Sequence, residues 1–115
     1  MKQSDHCPAQ QTLRVIEGKW RLPILHQLLE GPQRTGQLLR ALNGIAKNRL
    51  NQNLRELVGM GIVTKRSFQG RIPRVEYIIT PRGASLAEAL RGLHDWGVRH
   101  GSRIRRSTRY HRVPH

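Results

Sequence analysis

The sequence predicts an α+β fold, mainly α: a winged helix-turn-helix with a two-stranded wing and an extra C-terminal dimerisation helix. Three observations carry that expectation. Apolar residues recur at helical spacing of three and four through the first half and again after residue 80, they alternate only around residues 75–79, and Gly or Pro separates the segments. A chain of 115 residues suits one compact core, which 14 Leu, 8 Ile and 6 Val can fill with only five aromatic residues.

Each element follows from its residues. Leu13, Ile16 and Trp20 make one amphipathic stripe, and Leu22, Leu25 and Leu28 or Leu29 another; the two short helices part near Gly18. Pro23 is tolerated only in the first turn of the second helix, which Gly31-Pro32 ends. Thr35 can cap a third helix through Leu38, Leu39 and Leu42, stopped by Asn43-Gly44. A fourth begins near Ala46, buries Leu50, Leu54 and Leu57, and breaks at Gly59 and Gly61. An extended run from Ile62 to Phe68, a turn at Gln69-Gly70, and Val75, Tyr77 and Ile79 alternating with Arg74, Glu76 and Ile78 make a hairpin. Thr80-Pro81 then opens a last helix as cap and first residue; it presents Leu86, Leu90, Leu93 and Trp96 before Gly97. Residues 1–98 read as the domain and residues 99–115 as a basic, flexible tail.

Charge limits the partners. Twenty-one Lys and Arg stand against seven Asp and Glu, a formal +14, which attracts polyanions and puts nucleic acid first. Residues 1–98 hold +8 of this and the tail, with six Arg and no acid, +6. No apolar run marks a secretory signal at Met1–Gln10, and none of 18 residues marks a membrane span, so a cytoplasmic protein without membrane contact, associated with the nucleoid, is expected. Cys7, the single cysteine, cannot form an internal disulfide or a thiolate metal cluster. Histidines 6, 26, 94, 100, 111 and 115 assemble no recognisable metal site; no metal and no cofactor are expected. Without a nucleophile elbow, phosphate loop or paired carboxylates, the chain is not read as an enzyme.

Gly31 to Arg55 holds five cations and no carboxylate. Steps of about 100° per residue from the buried Leu50, Leu54 and Leu57 put Asn48, Gln52 and Arg55 on the opposite face, flanked by Arg49 and Asn51. Asn and Gln pair bidentately with adenine and Arg with guanine; Lys47, at the helix entry, suits a phosphate. Arg34 and Thr35 flank this reader. Lys65, Arg66, Arg71 and Arg74 place four cations on the hairpin, fit for phosphates or a minor groove. A merely solvated helix face, and an edge ribbon blunted by charge, are the plainer alternatives. Glu76 reads as a cross-strand partner for one of these cations rather than an acid catalyst.

From Cys7 to Gly97 the sequence resembles the HxlR-type bacterial regulators. The likeness is carried by Cys7-Pro8, Gly18-Lys19-Trp20, the Leu-Pro-Ile-Leu run ending at Leu25, and Leu54-Arg55-Glu56-Leu57. It continues with Pro73-Arg74-Val75-Glu76-Tyr77, Thr80 with Gly83, and Asp95-Trp96-Gly97. The resemblance implies a homodimeric winged helix-turn-helix transcription factor whose first and last helices pair the subunits while each fourth helix enters a major groove. It also implies that Cys7 is a candidate sensor of oxidants or electrophiles, as the equivalent cysteine is in several members, the plainer alternative being an inert N-terminal cysteine. Three positions depart from the pattern: Ala46 stands where members carry a Ser or Thr cap, Thr35 where they carry an aromatic, and Arg49 where they carry an apolar residue.

The expected dimer face comprises Leu13, Ile16, Leu86, Leu90, Leu93 and Trp96, apolar residues in surplus of what a small winged domain needs inside. Two-fold pairing sets the readers about one DNA turn apart, roughly 34 to 36 Å or a multiple, and predicts a palindromic operator. For the arginine tail, phosphate contacts are favoured over threading a minor groove or no role at all. The sequence names no effector. The main rival is a basic RNA-binding or ribosome-associated protein without operator specificity, which accounts for the charge but leaves the reader face without purpose. A module binding only protein is disfavoured because that face offers Asn, Gln and Arg instead of apolar anchors.

Overall fold

A computed structural model describes the backbone of residues 7–107 and side chains through Ile104. Five helices and one hairpin follow in order: α1 Pro8–Ile16, α2 Arg21–Leu29, α3 Thr35–Ala41, α4 Lys47–Gly59, β1 Val63–Phe68, β2 Arg74–Ile79 and α5 Pro81–Ser107. This is the winged helix-turn-helix order that the hydrophobic spacing predicts. The chain divides into two compact units, one ending at Ala84 and the other beginning at Ser85.

The first unit is built around aliphatic side chains. Ile24, Leu25 and Leu28 of α2, Leu38 of α3, and Leu50, Leu54 and Leu57 of α4 are buried together with Ile16, Ile62 and Val63. Three- and four-residue spacing gives each helix one apolar stripe, and burying such stripes is the main favourable term in folding, about 1.5 to 3 kcal/mol per fully buried Leu or Ile. Pro23 lies in the first turn of α2, where its missing N–H costs no hydrogen bond.

Several termini differ from expectation. Trp20 does not extend the first helix; it is the N-cap of α2, because α1 stops at Ile16 and Gly18 turns the chain at φ 103°. Thr35 is the first residue of α3 rather than its cap, and Arg34 takes the cap position with its backbone N–H donating to Gln37 Oε1 at 2.8 Å. α5 does not end near Gly97 but runs to Ser107. Arg is a good helix former, and each Gly costs a helix only about 1 kcal/mol, so neither Gly97 and Gly101 nor the arginines stop it. Residues 108–115 of the expected tail lie outside the described residues.

β1 and β2 pair antiparallel from Val63 opposite Ile79 to Phe68 opposite Arg74, and a five-residue loop, 69–73, joins them in place of a tight turn at Gln69-Gly70. On its other side β2 is bridged by Gln33 of the α2–α3 linker: Gln33 N–H donates to Tyr77 O at 3.1 Å and Tyr77 N–H to Gln33 O at 2.8 Å. The base of the hairpin is therefore held on both flanks. At its end, Thr80 Oγ1 donates to Gly61 O at 2.6 Å and accepts from Gly83 N–H at 3.1 Å, which caps α5 as Thr80-Pro81 predicts. A Cβ on Gly83 would collide with Ile62 O and lie 2.6 Å from Ile79 Cγ1, so only glycine lets α5 start this close to the hairpin.

The second unit is the rest of α5. Leu86 and Leu90 are half-buried; Leu93, Trp96 and Ile104 are exposed at 53, 50 and 46%, and His100 stacks on Trp96 with ring centroids 4.7 Å apart. At 100° per residue these six side chains share one stripe. Among the described residues no helix is long and apolar enough to cross a membrane.

Candidate DNA-binding face

α4 carries the proposed reader. Its N-terminus is set by Gly44, in the left-handed region at φ 101°, and by Ala46, whose methyl offers no hydrogen bond to the first free N–H groups. With Leu50, Leu54 and Leu57 buried, Lys47, Asn48, Arg49, Gln52 and Arg55 are all exposed and Asn51 is partly so. The six residues singled out in the sequence thus lie on the solvent side. Asn53, one position from Gln52, turns the other way: its Nδ2 donates to Arg49 O at 2.9 Å and its Oδ1 accepts from Arg21.

Sequence reasoning missed Arg21. It is 8% exposed, with Nη2 donating to Glu56 Oε1 at 2.5 Å, Nε to Asn53 Oδ1 at 2.9 Å and Nη1 to Val15 O at 2.9 Å. Charge-assisted bonds of this kind run roughly twice as strong as neutral ones. Glu56 is the sole carboxylate on α4, and the ion pair with Arg21 offsets its repulsion toward a polyanion at the edge of the reader face.

On the hairpin, Lys65, Arg66, Arg71 and Arg74 are exposed, but not on one face. The register sets Arg66, Phe68, Arg74 and Glu76 on one side of the ribbon and Lys65 with Tyr77 on the other. Phe68 organises the first side: the Arg74 guanidinium lies 4.8 Å from its ring centroid and that of Arg66 5.8 Å, two cation–π contacts that hold both cations near the tip. Glu76 stands opposite Arg66, yet its ion pair is with Arg74 on its own strand, at 3.8 Å, so the expected cross-strand partner is corrected to a neighbour two residues away. Arg34 is exposed at the cap of α3 and Thr35 is partly buried behind it.

Of the expected dimer face, Ile16 is corrected: at 7% exposure it belongs to the subunit's own core, because α1 turns that side inward and leaves Leu13, at 52%, outside. Leu93 and Trp96 remain exposed, and Leu86 and Leu90 half so. Cys7 is exposed and free at the N-cap position of α1, with its carbonyl accepting from Gln11 N–H at 3.0 Å. His6, beside it in sequence, lies outside the described residues, as do His111 and His115.

The HxlR-like helix-turn-helix family model matches residues 15–105. YkvN of Bacillus subtilis strain 168, an HTH-type transcriptional regulator, is 40% identical over 91 residues, covering 79% of this chain and 77% of its own. Among solved structures, a protein described as a transcriptional regulator of the MarR family from Enterococcus faecalis V583 superposes with TM-score 0.79 at 39% identity, over 92% of this chain and 94% of its own. The redox regulator HypR in its reduced form gives TM-score 0.80 at 30% identity, over 85% and 97%.

Proposed function

Since the chain belongs to the HxlR-like helix-turn-helix family, we propose that it is a DNA-binding transcriptional regulator that acts as a homodimer on a palindromic operator and responds to oxidants through Cys7. One observation carries the reading: the outer face of α4 offers Asn48, Gln52 and Arg55 between Lys47 and Arg49, and the single acid on that helix is paired by Arg21. Amide and guanidinium groups so arranged match base edges in a major groove, while the Arg66–Phe68–Arg74 cluster and Arg71 suit the adjoining backbone or minor groove.

Pairing of subunits is assigned to the stripe of Leu86, Leu90, Leu93 and Trp96 on α5, together with Leu13 of α1. Trp and Leu exposed in line are unusual on a lone soluble helix and ordinary at an interface. The sensing assignment rests on the exposed thiol of Cys7 and on the similarity to HypR, which is a redox regulator. The protein would work in the cytoplasm, on the nucleoid.

The test is selection from a random duplex pool by the full chain, followed by competition between the enriched duplex and a structured RNA at physiological salt. An enriched inverted repeat, with DNA outcompeting RNA, is expected. Equal displacement by RNA, or no enriched sequence, refutes the assignment and leaves a cationic domain of general polyanion affinity.

A further inference from the structure

Arg21 opens α2 and is buried, yet its fork reaches acceptors on two other elements: Val15 at the end of α1, and Asn53 and Glu56 on α4. A guanidinium is planar and rigid, so three bonds made together fix their acceptors as well as the cation. The bonding then continues outward. Glu56 Oε1 takes Arg21 at 2.5 Å, and its other oxygen, Oε2, accepts from Gln52 Nε2 at 3.4 Å. Gln52 is exposed on the reader face, so its amide ends a chain that starts in the interior.

We infer that Arg21 and Glu56 are positioning residues for base reading: without touching DNA, they orient the Gln52 amide and so set the preference for adenine at the base pair beneath it. This rests on α4 being the reader helix. Bidentate recognition of adenine uses an amide oxygen and one N–H together. A long exposed Gln spreads over many rotamers and has to be ordered when the base is bound. Glu56 takes one of the two N–H groups of Gln52 and leaves the oxygen and the second N–H for the base. At 3.4 Å that bond is long, so it biases the amide instead of locking it, and the bias is only as good as the fixity of Glu56. Fixing Glu56 is the task of Arg21, whose other two bonds tie it to Asn53 and to Val15 O.

The experiment uses the full chain and the duplex it selects, with relative affinities measured for every single base-pair change in that duplex. Wild type, Gln52→Ala, Glu56→Ala and the double variant are compared. Glu56→Ala costs stability because the buried Arg21 loses its counter-charge, but the Glu56 side chain is 49% exposed, so water can reach the vacated position; circular dichroism and urea unfolding check that the variant is folded under the conditions of the affinity measurement. Gln52→Ala is expected to identify its base pair by abolishing discrimination there, roughly five- to 150-fold in wild type. Glu56→Ala should lower discrimination at that same pair by about two- to tenfold, the worth of one hydrogen bond, and the double variant should be no worse than Gln52→Ala. Arg21→Met should reproduce the Glu56→Ala profile; if it does not fold, Glu56→Ala decides alone. Full discrimination retained by Glu56→Ala, or a loss spread evenly over all positions, overturns the inference. So does a Gln52→Ala profile identical to wild type. A wild-type protein that enriches no sequence refutes the reader helix itself, which is a separate failure.

Discussion

Gly83→Ala should destabilise the protein even though it places a better helix former inside a helix. The gain is known: Ala over Gly in a helix interior is worth about 1 kcal/mol. Against it stands the contact at the start of α5, where a Cβ would overlap Ile62 O and come within 2.6 Å of Ile79 Cγ1. Neither neighbour is a loose side-chain end. Ile62 O accepts from Thr80 N–H at 3.0 Å, and Ile79 sits in the β1–β2 ladder opposite Val63. Overpacking against such atoms typically costs 1 to 3 kcal/mol, and here the strain also threatens the Thr80 cap, worth about 1 kcal/mol. The net expectation is a loss of about 1 to 3 kcal/mol. Gly92→Ala is the control, since it lies in the same helix and the added carbon has no neighbour within 4 Å apart from the adjoining residues and the backbone of its own helix turn. It should be neutral or raise stability by up to about 1 kcal/mol. Urea unfolding at one fixed protein concentration reads both, as a midpoint that falls for Gly83→Ala and not for Gly92→Ala, with slopes unchanged. A Gly83→Ala midpoint equal to or above wild type would refute the claim that close backbone approach is why glycine stands there.

Three further outcomes are expected. Replacing Arg66, Arg71 and Arg74 by Gln should flatten the dependence of log affinity on log salt by about 0.9 for each phosphate contact removed; an unchanged slope would mean that the hairpin never meets DNA. Trp96→Ser with Leu93→Ser should leave a monomer in sedimentation at micromolar concentration while far-ultraviolet dichroism keeps its helical signal, and a persisting dimer would move the interface off this stripe. In a gel-shift titration with diamide, wild-type affinity should change and Cys7→Ser affinity should not; identical responses would assign any redox effect to another cause.

Elements whose signal is local were legible in the sequence. Leu50, Leu54 and Leu57 fix the buried side of α4 by spacing alone, so the exposure of Asn48, Gln52 and Arg55 follows from the helical period. Val75, Tyr77 and Ile79 announce β2, and Thr80-Pro81 the start of α5. What stayed hidden depends on partners far away in the chain. An Arg between Trp20 and Leu22 looks solvated until Asn53 and Glu56, 32 and 35 residues later, arrive beside it. Gln33 bridging Tyr77 is a single residue pair with no alternation to betray it. Ile16 and Leu13 share one stripe in the sequence, and only packing shows that the first is spent inside. Gly97 and the following arginines resemble a stop, but the helix continues through both Gly97 and Gly101.

The bridge between Gln33 and Tyr77 makes the hairpin a cantilever. Tyr77 lies opposite Lys65, so clamping ends there, and just three residue pairs beyond it, from Arg66 to Arg74, carry the loop of residues 69–73 outward. That free arm is roughly 10 Å long at about 3.3 Å per residue, stiffened on one side by the contacts of the Phe68 ring with two guanidinium groups. Lengthening or trimming residues 69–73 therefore changes how far the arm extends without disturbing its mounting, and under the proposed function the reach of the hairpin along a duplex could be altered independently of α4.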